Sequence, residues 1–156
     1  MIDNLIVAFS NIFFLYPIYI SAQHSDYITM LCIGFLTLAS FTSHLVECHK
    51  HSMSGMSYFS KKLSIQLNWL DRLGVAVVAL RFITMIFTFS LYNLYRFPYY
   101  YIDSEIMIII ITLFVGGLSQ YQLPQEYKWK HYIPLHCLWH ILVARQMYSV
   151  LCILYM

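Results

Sequence analysis

Two histidines stand four residues apart in the last hydrophobic stretch of the chain, His136 and His140 in the run HCLWH. Residues at positions i and i+4 lie on one face of an α-helix, so the two imidazoles stack one above the other. A polar ring inside an apolar segment is unfavourable unless a hydrogen bond or a metal ion satisfies it. The pair therefore predicts half of a buried metal site.

Three further polar residues lie in other apolar stretches. Ser40 and His44 repeat the four-residue spacing near the end of one stretch, and Asp71 follows the start of another. Three neutral imidazoles suit zinc and leave a fourth position for water, as in catalytic zinc sites. Other interpretations stay open: the histidines bond only between helices, Asp71 pairs with Arg72 at a membrane surface, and Ser40 bonds to its own helix.

The composition indicates the elements that must position these residues. The 156 residues are 60% hydrophobic and only 10% charged, and their mean hydropathy is +0.65. Soluble domains are nearer to about half apolar and about a quarter charged. We therefore predict an integral, multi-pass membrane protein that forms one helical domain over residues 1–156. The formal charge of +2 is too small to indicate nucleic acid, so the predicted partners are the bilayer and a lipid.

Five apolar stretches are long enough, or nearly so, for the roughly 20 residues that cross a bilayer. They predict an all-α bundle with helices at about 5–22, 27–46, 67–89, 106–121 and 132–156. The fourth is the shortest. Pro17 is predicted to kink the first, and the aromatic run at 92–105, which contains Pro98, is predicted to lie at the membrane surface.

Lysines and arginines predict the orientation of these helices. With five spans, one side holds Lys50, Lys61, Lys62, Lys128 and Lys130, whereas the loops of the other side hold only Arg96. By the positive-inside rule, the amino terminus is then cytoplasmic and the carboxyl terminus is not. This orientation places all five candidate site residues in the same half of the bilayer, which is a condition for a shared site.

The order of these residues resembles a known superfamily of membrane hydrolases. SFTSH with Ser40 and His44, LNWLDRLG with Asp71, and HCLWH with His136 and His140 are similar to the pattern of alkaline ceramidases, adiponectin and progestin receptors, GPI-anchor-remodelling hydrolases and myomaker-like proteins. The resemblance implies a zinc ion held by His44, His136 and His140, with Asp71 and Ser40 contacting its water. The family typically has seven spans, so two helices before the last one are missing here.

The first hypothesis is a zinc-dependent intramembrane hydrolase of a lipid amide or ester, ceramidase-like in its chemistry. Asp71 would accept the proton of the water and pass it to the leaving group, and Ser40 would help to hold the developing oxyanion. The second hypothesis is a non-catalytic receptor or membrane-remodelling protein in which zinc is structural. The third is a multi-span protein with no metal at all.

Several other polar residues have weaker interpretations. Cys48, His49 and His51 could form a rival metal site with His44, and Glu47 could orient the His44 ring, although an ordinary loop acid is the simpler reading. Arg81 and Arg145 lie inside predicted helices and receive no partner from the sequence. Without a CxxC pair, the four cysteines are predicted to be buried free thiols: Cys32, Cys48, Cys137 and Cys152.

Overall fold

The computed structural model describes residues 2–47, 60–92, 99–120 and 128–155, and this part of the chain is helical with no strand. A first segment, Ile2–Gln23, divides into three elements, and four longer helices follow. The elements are α1 (Ile2–Phe9), a 3-10 turn (Ser10–Phe14), α2 (Leu15–Gln23), α3 (Tyr27–Val46), α4 (Lys61–Tyr92), α5 (Tyr99–Gln120) and α6 (Lys128–Leu154). The all-α prediction is confirmed.

Four of these segments are long and apolar enough to cross a membrane: Ile2–Gln23, Tyr27–Val46, Lys61–Phe89 and His131–Leu154. Within α5, the apolar stretch is the shorter Met107–Ser119. Large apolar side chains point outward along the helices, among them Leu80, Phe87, Leu113 and Phe114. A soluble monomer rarely exposes so many large apolar side chains.

The helix ends follow local signals that partly differ from the predicted bounds. Asp26 caps α3 by accepting a hydrogen bond from the Thr29 amide, and α3 has the predicted limits. The helix α4 begins at Lys61, before the predicted residue 67, because Ser60 accepts from the Leu63 amide and extends the helix into its lysine-rich start. The predicted surface run at 92–105 overlaps the start of α5, and residues 93–98 lie outside the described part.

Pro17 does not mark the irregular part of the first segment. It lies in the first turn of α2, where backbone amides make no hydrogen bond within the helix. The missing N–H of proline therefore removes no such bond. The departure from α geometry comes earlier, in the 3-10 turn at Ser10–Phe14. The change of helix type thus precedes the proline, and a kink at Pro17 itself stays a prediction.

The packing leaves one side of the bundle open. The helix α3 packs against α1, α2 and α4, and α6 packs against the first segment and α5. Within the described residues, α5 contacts only α6, and α4 has no contact with α5. The main core lies between α3, α4, α6 and the first segment and consists of Phe14, Ile33, Leu36, Val78, Ala144 and Leu151.

Candidate metal centre

Three histidines from two helices meet at one end of the bundle. His44 lies in the last turn of α3, while His136 and His140 lie one turn apart in the first half of α6. Each offers a ring nitrogen within 4.8 Å of the other two, and this group could hold a metal ion. The side chains are 3%, 3% and 1% exposed, and the Nε2 atoms of His44 and His136 are 3.1 Å apart.

Each imidazole also has a partner for its Nδ1 atom. Glu47 Oε2 lies 3.1 Å from Nδ1 of His44, and Ser10 Oγ lies 2.6 Å from Nδ1 of His140. Ser119 Oγ of α5 lies 3.3 Å from Nδ1 of His136. The partners come from three different elements, so the rings are oriented by the surrounding bundle and by the end of α3 itself.

These partners determine which ring nitrogen carries the proton. The Ser10 hydroxyl donates to the Val7 carbonyl at 2.6 Å, and the Ser119 hydroxyl donates to the Gly116 carbonyl at 2.8 Å. A carbonyl can only accept and a hydroxyl has a single proton, so both serines must accept from the imidazoles. The carboxylate of Glu47 likewise accepts. The hydrogen-bond network thus assigns the protons to Nδ1 and leaves the lone pairs on Nε2.

The resulting arrangement fits a cation. Two Nε2 lone pairs face each other at 3.1 Å without a proton to share, and Nε2 of His140 is buried with no hydrogen-bond partner in the described residues. Imidazoles at about 2.0–2.1 Å from a tetrahedral zinc have their nitrogens roughly 3.3 Å apart. An ion bound between the three nitrogens would remove the repulsion and satisfy the orphaned atom.

Asp71 lies at the side of the histidine group without belonging to it. Its half-buried side chain on α4 lines two cavities. One, of about 250 Å³, also contacts Ser40 and His140, and the other, of about 380 Å³, contacts His44 and His136. The carboxylate is therefore placed to contact a molecule in either cavity.

Ser40 is buried in the wall of the first cavity, one turn below His44. Thr37 and Thr42 of the same helix donate to carbonyls of their own helix. Ser40 makes no such bond within the described part of the chain, so the interpretation that it only bonds to its own helix is not supported. Its hydroxyl is available to a molecule in the cavity.

Glu47 lies where the first of its two sequence-based interpretations places it, beside the His44 ring. It is 2% exposed, and its Oε2 accepts from Tyr132 Oη at 2.9 Å as well as from His44. The amide of Asn4 on α1 donates to the carbonyls of His44 and Glu47 at 2.8 and 2.9 Å. The simpler prediction of a solvated loop acid is wrong, because α1 and α6 cover the end of α3.

Other predicted residues have different outcomes. Cys48, His49 and His51 lie outside the described residues. Cys32, Cys137 and Cys152 are free thiols, but each is half-buried rather than fully buried. Arg81 does have a partner, the carboxylate of Asp26 at 2.9 Å. Arg145 is exposed and lines a groove between α2 and α6, away from the histidine group.

The chain is 35% identical over 152 residues to the protein "Uncharacterized protein L282" from Acanthamoeba polyphaga mimivirus, and the match covers 96% of each chain. No protein-family model matches the chain, and no solved structure matches it.

Proposed function

We propose that this chain, which belongs to the same family as the mimivirus protein L282, is a zinc-dependent membrane hydrolase of a lipid amide or ester. The observation that carries the proposal is the group of three buried histidines whose ring nitrogens lie within 4.8 Å of one another, beside two cavities that share Asp71. The Nε2 atom of His140 favours this proposal over histidines that only bond between helices, because a buried ring nitrogen without a hydrogen-bond partner in the described residues is unfavourable and an ion would satisfy it.

The apolar helices support the membrane setting. Four segments have the length and composition for a span, and the outward side chains of α4 and α5 are largely aliphatic or aromatic. The protein is then a multi-pass membrane protein with a cytoplasmic amino terminus, and its histidine group lies on the lysine-rich side. Lipids are the substrates that reach such a site without leaving the bilayer.

The residues divide the work of hydrolysis. His44, His136 and His140 would hold the zinc ion, which when bound supplies a Lewis acid for activating water and polarising a carbonyl. Asp71 takes a proton from water at its carboxylate and delivers it to the leaving nitrogen or oxygen. The Ser40 hydroxyl donates to the carbonyl oxygen as negative charge develops. The acyl bond to the leaving atom breaks, and the oxygen of water joins the acyl carbon.

A second candidate is a zinc ion that only ties α3 to α6 in a receptor or membrane-remodelling protein. The observation that favours it is the nearly complete burial of all three histidines, which is typical of closed structural sites. Both candidates require the metal, and they differ in what Asp71 does.

The test compares metal content with turnover in two variants. Asp71→Asn should retain zinc and lose most hydrolysis of a lipid panel, because an amide cannot accept the proton while three imidazoles still hold the ion. His136→Ala should lose both zinc and thermal stability. Asp26→Asn is the control, because it makes the same chemical change at the start of α3, the end opposite His44. It should keep both zinc and turnover when assayed below its unfolding temperature.

Zinc-loaded protein that hydrolyses no amide or ester lipid, or Asp71→Asn protein that turns over normally, would support the structural role instead. Protein purified in mild detergent that neither carries nor binds zinc would exclude both metal-dependent functions.

A further inference from the structure

Two cavities meet at Asp71 and extend in opposite directions along the bundle. The chain cavity, of about 250 Å³, runs from Asp71 and His140 towards Phe82 and Met147 and is almost wholly apolar. The head cavity, of about 380 Å³, runs from Asp71 towards the start of α4 and is lined there by Asn68, Arg72 and Tyr132. Trp139 lies in the wall of both. A molecule that fills both has one apolar and one polar end.

The chain cavity continues to the outer surface of the bundle. A third cavity, of about 240 Å³, shares Phe82, Leu113 and Met147 with it and extends to Ile109 and Val150. This path lies between α4 and α5, which have no contact with each other in the described residues. The walls are apolar, so an acyl chain can enter sideways from the bilayer and reach Asp71.

Arg72 gives the head cavity an exposed cation. Its guanidinium carbon lies 5.3 Å from the centre of the Trp69 ring, and within the described part of the chain it makes no ion pair. The nearby carboxylate of Glu47 is already engaged by His44 and Tyr132. Among the described residues this guanidinium has a stacking contact and no ion pair, so its donors, next to the amide of Asn68, are available there for a phosphate group.

Building on the proposed function, we infer that the substrate is a lipid with one acyl chain and a phosphate in its head group. The phosphate binds Arg72 and Asn68, the acyl linkage lies at Asp71, and the chain fills the chain cavity. Hydrolysis adds water across the acyl linkage and releases a fatty acid and the phosphorylated head group. The order of groups along the helices matches a lipid of the leaflet on the lysine-rich side, with its head at the membrane surface.

The test uses a monoacylglycerol and its 3-phosphate with the same acyl chain. We expect zinc-loaded protein to prefer the phosphate, and Arg72→Gln to lower the ratio of the two kcat/KM values by about tenfold or more, as loss of one charge-assisted hydrogen bond predicts. Lys62→Gln removes another exposed cation of the same helix, nearly three turns from Arg72, and should leave that ratio unchanged.

Binding provides a second readout that does not depend on turnover. An alkyl phosphate should bind the metal-free Asp71→Asn protein about tenfold more tightly than the alkyl alcohol of equal length, and Arg72→Gln should abolish the difference. Equal turnover of the two lipids, or a phosphate preference that survives Arg72→Gln, overturns the head-group assignment and leaves the hydrolase intact. No turnover of any amide or ester lipid, with phosphate binding retained, overturns the hydrolase alone.

Discussion

At the scale of single residues, the centre depends on acceptors as much as on histidines. Glu47, Ser10 and Ser119 each accept a hydrogen bond from the Nδ1 atom of one imidazole. The proton of each ring is then on Nδ1, and its Nε2 atom carries a lone pair. The histidine spacing predicted the three rings that meet. Glu47 was named as a possible partner of His44 because it lies three residues away, but Ser10 and Ser119 come from other segments and serine is an ordinary residue in helices, so the sequence did not indicate them.

Glu47 offers a direct test of this dependence. Glu47→Gln should weaken zinc affinity by about tenfold to a hundredfold, because the amide holds the His44 Nδ1 proton less strongly than a carboxylate does. Tyr132→Phe removes a hydrogen bond to the same oxygen but keeps the carboxylate, so it should have a smaller effect in the same direction. Competition with a chelator measures both affinities. Wild-type affinity in Glu47→Gln would show that the carboxylate does not support the ligand.

At the scale of elements, the 3-10 turn and the covered end of α3 are what the sequence did not predict. The turn places Ser10 against His140, and Phe14 at its far end packs on the same ring, with centroids 5.8 Å apart. Helix type over a few residues is decided by such contacts rather than by intrinsic propensity. A long apolar stretch, in contrast, predicts a helix without knowledge of its tertiary contacts. The helix α3 therefore has its predicted limits.

The contact of α5 with α6 depends on a glycine. A methyl group on Gly116 would come within 2.6 Å of Nε1 of Trp139, whereas one on Gly117 would meet nothing within 4 Å. Gly116→Ala should therefore push the indole into the cavities that it lines. We expect a change in tryptophan emission, reduced turnover and a loss of about 1–3 kcal/mol of stability. Gly117→Ala is the matched control and should change none of these.

A Gly116→Ala protein with the emission and turnover of Gly117→Ala would mean that the indole does not form the wall between the two cavities. Stability alone does not answer this question, since the clash with a methyl group on residue 116 lowers stability whichever way the ring moves.

At the scale of the whole molecule, a second polar cluster ties the end of the bundle opposite the histidines. Asp26 accepts from Arg81 of α4 at 2.9 Å and from Tyr155, after α6, at 3.0 Å, while it caps α3 through Thr29. Burial raises the pKa of Asp26, but the hydrogen bonds from Thr29, Arg81 and Tyr155 outweigh it and hold this pKa below its ordinary value of 3.8.

The lowered pKa predicts how acid affects stability. The carboxylate stabilises the fold fully above the unfolded value of 3.8, and this contribution is lost as the pH falls through the lower pKa of the folded state. Asp26→Asn should therefore lower the Tm at neutral pH, and its difference from wild type should shrink in acid. Thermal unfolding in detergent from pH 7 to below 3.8 measures this. A difference that stays constant would assign the effect to packing.

Polar contacts also show the directions in which α1, α3, α5 and α6 run. Asn4, His44, Ser119 and His136 meet at one end, although they lie at the start of α1, the end of α3, the end of α5 and the start of α6. The hydroxyl of Thr112, two turns earlier in α5, contacts Gln146 farther along α6 at 3.5 Å. The helix α5 thus runs antiparallel to α6, towards the end where the histidines lie.

This geometry bears on the number of membrane crossings, because α5 was the shortest predicted span. If α5 crosses, the chain makes five passes, and the excess of lysines on one side predicts the orientation. An epitope inserted at 52–60 should then be cytoplasmic, and a reporter fused after Met156 should be on the other side. Protease protection and reporter activity measure the two positions independently. A cytoplasmic reporter with a cytoplasmic epitope would mean that α5 enters and leaves by the same face, so the lateral path between α4 and α5 would open to water rather than to lipid.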